Sequence, residues 1–166
     1  MGWAMHRRGE FAAGLNLQRQ GVRRWNETGA TLHTTHCEVM LAESFLREGR
    51  TAEARAHLTA ARAHCARYGE VYLAAEIERL ESLLLRCEQA APEIVEEYLV
   101  KSLHIARRQG ARLFELRTAT TFGRVLADRG ERRQAVDLLT PVYSRFTEGL
   151  DTTDLKEAKA LLEEFD

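Results

Sequence analysis

The stretch Leu41-Ala42-Glu43-Ser44-Phe45-Leu46-Arg47-Glu48-Gly49-Arg50-Thr51-Ala52-Glu53-Ala54 decides the fold. A small residue, Ala42, stands seven positions before Gly49, the large Phe45 follows it by three, and a second small residue, Ala54, follows it by twelve. The arrangement returns as Gly123, Leu126, Gly130 and Ala135, as Gly2, Met5, Gly9 and Gly14, and in part as Ser82, Leu85 and Gln89. Gly2, Ala42, Ser82 and Gly123 are 40, 40 and 41 residues apart. A small side chain lets two backbones approach where helices cross, a large apolar one fills the gap between neighbouring pairs, and a glycine adopts the left-handed conformation that ends a helix. Repetition at one fixed period of this length is the mark of stacked helix pairs.

A second series, Gly29, Gly69, Gly110 and Gly149, is spaced 40, 41 and 39 residues and follows helical runs such as Ala66-Arg67-Tyr68-Gly69. Together the two series predict a helix ending near residue 6 and its partner over 10–28. Pairs follow over 31–48 with 51–68, 71–88 with 92–109, and 112–129 with 131–147. A last helix over 154–165 has Asp154 as its N-cap and Glu157 three residues on. Its Leu155, Ala158, Leu162 and Phe165 form the face that seals the final pair, since an uncovered end of an array exposes core. The reading is all-α: one domain over 1–166 with a partial repeat 1–29, repeats 30–69, 70–110 and 111–149, and a capping helix 150–166.

Composition agrees. Only Pro92 and Pro141 interrupt a chain of 166 residues that is 45% hydrophobic, and Ala, Leu, Glu and Arg dominate it, side chains that lose little freedom in a helix. The net charge of -1 argues against a dedicated nucleic-acid binder. The charge is unevenly spread: Arg107, Arg108, Arg112, Arg117, Arg124, Arg129, Arg132 and Arg133 face only Glu115, Asp128 and Glu131, whereas residues from 147 onward are mostly acidic. Cys37, Cys65 and Cys87, odd in number and set in helical runs, read as reduced thiols of a cytoplasmic protein. No apolar leader and no run long enough to cross a membrane is present, so no membrane association is expected.

The small–large pattern of Leu41-Ala42, Phe45 and Ala54, repeated in Phe122-Gly123, Leu126 and Ala135, is similar to the tetratricopeptide consensus, with each helix longer by almost a turn. The chain more closely resembles the C-terminal repeat region of large bacterial signalling proteins in which a cyclase-like or DNA-binding domain precedes a signalling ATPase. The segments that carry this resemblance begin at His104-Ile-Ala-Arg-Arg-Gln-Gly-Ala-Arg-Leu-Phe-Glu and at Leu139-Thr-Pro-Val-Tyr-Ser-Arg-Phe-Thr-Glu-Gly-Leu-Asp. The resemblance implies a right-handed α–α superhelix of about four hairpins, the first truncated. It also implies a non-catalytic protein–protein interaction module without cofactors. The aromatic residue frequent four positions before the crossing residue is absent, Glu38, Glu78 and Ala119 standing there, and no phosphate-binding loop occurs, so no ATPase or cyclase activity carries over.

In arrays of this kind the first helix of each pair lines a concave groove. Carried onto this register, the groove residues are His36, Val39 and Glu43, then Glu76, Arg79, Leu83 and Arg86, then Arg117, Thr120 and Arg124. Four arginines converging there would suit an acidic peptide or chain terminus, because a guanidinium pairs with a carboxylate through two parallel hydrogen bonds. The same arginines may instead be solvated or paired internally with Glu43 and Glu76. Two other roles stay open: a regulatory arm that packs only on its own neighbouring domains, and a small-molecule sensor. His33, His36 and Cys37 form the one grouping with metal-ligand chemistry, at i, i+3 and i+4, but no fourth ligand is apparent. A short first helix also predicts uncovered apolar surface over residues 11–25, and with it either a homodimer joined at that end or a longer solenoid.

Overall fold

The computed structural model describes residues 1–165 and is all-helical, with no strand among them. In chain order the helices are α1 (Gly2–Arg7), α2 (Phe11–Glu27), α3 (Thr34–Arg47), α4 (Thr51–Tyr68), α5 (Ala74–Cys87), α6 (Pro92–Gln109), α7 (Arg112–Asp128), α8 (Arg132–Tyr143) and α9 (Thr153–Phe165). A 3₁₀ turn, Val71–Leu73, leads into α5. The chain divides into two compact units, Met1–Val95 and Glu96–Asp166. Asp166, the last residue of the predicted capping segment, lies outside the described residues.

In the first unit α1 packs on α2, α3 on α4, and α3 also on α5. The crossing residues are where the spacing placed them. Ala42 and Ala54 are fully buried, and Ser82 is buried with its hydroxyl donating to the Arg79 carbonyl at 2.6 Å. Contact is tightest between α1 and α2: a Cβ on Gly14 would stand 2.6 Å from the His6 nitrogen, and one on Gly2 would stand 2.6 Å from the Gly14 carbonyl oxygen. Phe45 fills the space beside the Ala42 crossing, stacked on the His57 ring at 5.2 Å with the Arg50 guanidinium 4.6 Å from its centroid. Met5 and Leu85, its counterparts in neighbouring pairs, are only half-buried.

In the second unit α7 packs on α8, and α9 packs on both. Leu155, Ala158 and Leu161 form the buried face of α9, while Leu162 is half-buried. Leu161 reaches the Gly123 crossing, where an added Cβ would lie 3.3 Å from its Cδ2.

Several boundaries move, each for a local reason. α8 stops at Tyr143 rather than 147, two residues after Pro141, which cannot donate to the preceding turn. α3 starts at Thr34 because His33 sits in the left-handed region at φ 63°. Asp154 is not an N-cap but lies in the first turn of α9, where a negative charge still favours the helix dipole.

Gln89 occupies the rung of the inner glycine series that lacks glycine, and its φ is 59°. A non-glycine side chain in this region costs about 1 kcal/mol. Gln89→Gly is therefore expected to raise the stability of the protein by about that amount, read as a higher urea midpoint with an unchanged slope.

Candidate functional site

The first helices of the pairs in the first unit carry most of the predicted groove residues, and their charges are largely bound to one another. Glu43, from the middle of α3, accepts from the Trp3 indole nitrogen at 2.7 Å and from the Arg7 guanidinium at 3.2 Å, both on α1. Arg47, one turn on, and Arg79 of α5 stand 3.7 and 3.8 Å from the same carboxylate. Arg79 also forks onto Glu76, Nε to Oε2 at 2.9 Å and a terminal nitrogen to Oε1 at 2.7 Å. The side chains of Arg7, Glu43, Arg79 and Glu76 are only 9%, 8%, 8% and 3% exposed, so the seam lies in a weakly screened environment. Three arginines against two glutamates leave one positive charge.

Each side chain reaches the seam by helical phase. Glu76 and Arg79 are three apart on α5 and share a face, as do Glu43 and Arg47, four apart on α3. Trp3 and Arg7 are again four apart, and the Arg7 guanidinium lies 5.5 Å from the Trp3 ring centroid. Neither was among the expected groove residues. The signal was present, however, because Trp3 follows the crossing residue Gly2 by one, the same offset that selects Glu43, Leu83 and Arg124 in the later pairs.

The remaining groove residues divide by exposure. Val39 is buried in the core and Leu83 is half-buried, whereas His36 and Arg86 are exposed. Partial burial, and then the neighbouring His33, hold His36 below the ordinary imidazole value, so it is neutral at pH 7. In the second unit Thr120 is buried, its hydroxyl donating to the Leu116 carbonyl at 2.8 Å. Arg117 forks onto Asp154 of α9 with two bonds of 3.0 Å. Arg124 is exposed and forms no ion pair among the described residues. Of the four expected ligand arginines, then, Arg79 and Arg117 are committed to carboxylates of their own chain.

The metal-type grouping does not assemble as its spacing suggested. His33 precedes α3 in the left-handed conformation, with Nδ1 3.3 Å from the Tyr72 hydroxyl, so it leaves the helical face that carries His36 and Cys37. Among the described residues no three His, Cys, Asp or Glu side chains are grouped so as to hold a metal ion. The thiols are also poorly placed for nucleophilic chemistry. Burial, and then Glu38 and Glu70, push the Cys37 thiol up, and burial likewise raises Cys65, whose Sγ donates to the Glu70 carbonyl at 3.1 Å. An activated cysteine needs the opposite shift.

No described helix is long and apolar enough to cross a membrane. No family model, no curated protein and no solved structure matches this chain.

Proposed function

We propose that the chain is a non-catalytic helical-repeat module of a bacterial signalling system, one that holds an acidic or extended protein segment against the first helices of its pairs. The observation that carries this reading is the repeat register. Residues 40 or 41 apart occupy the same buried crossing position in successive pairs, as Ala42, Ser82 and Gly123 do, with Ala54 and Ala135 opposite. Packing set by such a repeat belongs to a tetratricopeptide-like, right-handed α–α superhelix of about four hairpins, the first short, with α9 as its cap. Arrays of this kind spend their core on neighbouring repeats and keep an extended face for a partner.

In this reading the seam residues Glu43, Glu76 and Arg79, together with Arg117, form the framework, and the ligand meets the outward side chains His36, Arg86 and Arg124. A labelled twelve-residue peptide rich in Asp and Glu tests it. The double variant Arg86→Glu, Arg124→Glu is expected to bind at least about tenfold more weakly. Its melting temperature should not change, and the salt dependence of binding should fall with the lost charges. Undiminished affinity in the double variant, or no saturable binding to the parent chain, would dismiss the acidic ligand. A second reading draws on the internal pairing of Arg79 and Arg117: a regulatory arm that packs only on adjoining domains. It predicts no peptide binding at all.

A further inference from the structure

The repeat register exposes a difference between the first pair and the second. The first two turns of α3 lie over the C-terminal half of α4. There His57 Nδ1 and Glu38 Oε2 are 2.5 Å apart, and Thr34, Thr35 and Ala61 are buried. Subtracting one 40-residue period turns His57 into Leu17 and Ala61 into Gly21. Ser102, one period beyond Ala61, is likewise fully buried, its hydroxyl 2.7 Å from that of Thr118. Gly21 alone in this series is exposed. A Cβ built on it meets nothing within 4 Å, and Leu17 is 38% exposed. α1 has 6 residues where α3 has 14, and it begins at its crossing residue, so no helical turn covers these positions.

What remains is a groove of about 370 Å³ lined by Trp3, Leu17, Gly21, Val22, Cys37 and Met40. Its floor is apolar. Its rim is cationic, since at about 100° per residue Arg24 lies almost in line with Leu17, and Arg19 lies about 60° from Val22. Both arginines are exposed, and neither makes an ion pair among the described residues.

We propose that this groove is a docking slot for an amphipathic helix of an acidic partner. The occupant needs about two turns, the length that α3 supplies in the next pair. It must set a small or β-branched residue against Gly21, as Thr35 is set in its own pair, with apolar residues beside Leu17 and Val22 and carboxylates toward Arg19 and Arg24. The charges also bear on self-association. A second copy seated by a two-fold axis would bring Arg19, Arg23 and Arg24 against the same three residues, and like charges repel. We rest the slot on the repeat register and not on the inner-face ligand, so the two can fail separately.

The probe is a capped peptide of residues 71–82 of this chain. It spans the start of α5 and is acidic through Glu76, Glu78 and Glu81 against Arg79. Titration into the full chain should shift the tryptophan emission saturably, with a Kd below about 100 μM. Gly21→Trp fills the slot, and should weaken binding at least tenfold with helicity and melting temperature unchanged. Arg19→Glu with Arg24→Glu should weaken it several-fold and reduce its salt dependence. Arg86→Glu with Arg124→Glu should leave it as it was. The slot is overturned by the lack of a saturable shift, by Gly21→Trp binding like the parent, or by light scattering that finds a dimer in the parent and a monomer in Gly21→Trp.

Discussion

Glu43→Ala is expected to cost about 3–5 kcal/mol of folding stability, the range for breaking a buried ion pair by removing one partner. The carboxylate is 8% exposed and is the shared acceptor of Trp3 and Arg7 and a close neighbour of Arg47 and Arg79. Removing it leaves two nearly buried guanidinium groups, Arg7 and Arg79, short of negative charge, with Glu76 the one carboxylate still forked onto Arg79. Nothing of similar size is lost at an exposed glutamate. Glu93→Ala on α6 should fall within about 0.5 kcal/mol of the parent. Urea unfolding of the two variants side by side checks the claim, and a Glu43→Ala loss no greater than that of Glu93→Ala would mean that water screens the seam. The result also bears on the ligand experiment. Arg79→Glu would place a third carboxylate beside Glu43 and Glu76, so weak binding by that variant would report unfolding rather than ligand contact.

Gly14→Val should be the most damaging change in the first pair. Even a Cβ at this position meets backbone, 2.6 Å from the His6 nitrogen and 2.7 Å from the Gly2 oxygen, and backbone cannot swing aside as a side-chain tip can. Overpacking of this kind costs about 1–3 kcal/mol and more when the helices must separate. Separation would also withdraw Trp3 and Arg7 from Glu43, so the effects of Gly14→Val and Glu43→Ala should be strongly non-additive in a double-mutant cycle. Trp3 emission should move to longer wavelength in Gly14→Val as the indole becomes wet. Gly21→Ala is the internal control, a glycine of the same helix with open space around it, where better helix propensity should add up to about 1 kcal/mol. If the two glycines responded alike, the close approach of α1 and α2 would be disproved.

The helices and their crossings were legible because both depend on local chemistry repeated at one period. Gln89 shows how far that reasoning reaches: the position was placed in the turn series although it is not glycine, and the backbone there is left-handed. Ends set by a single residue were less legible. Pro141 stops α8 early and His33 delays α3, while the repeat pattern averages over such details. The fate of the arginines was half legible. Glu76 and Arg79, three apart on one helix, announce their own pair. The partners of Glu43 on α1 and of Arg117 on α9 lie 36 and 37 residues away in sequence, and only packing brings them close. Groove rules pick positions by phase and are blind to whether a charge on the same chain has already claimed them.

The six residues of α1 have a consequence for motion. A helix of under two turns has almost no intrinsic tendency to form in water, so its folded population is governed by what it touches: the two glycines, the Glu43 carboxylate, and His6 against Phe11 and Glu48. Its amides should therefore be among the earliest to exchange with solvent deuterium, well before those of α3. Any event that competes for Glu43 will register first as fraying of this segment, which makes the start of the chain a built-in gauge of the state of its charged interior.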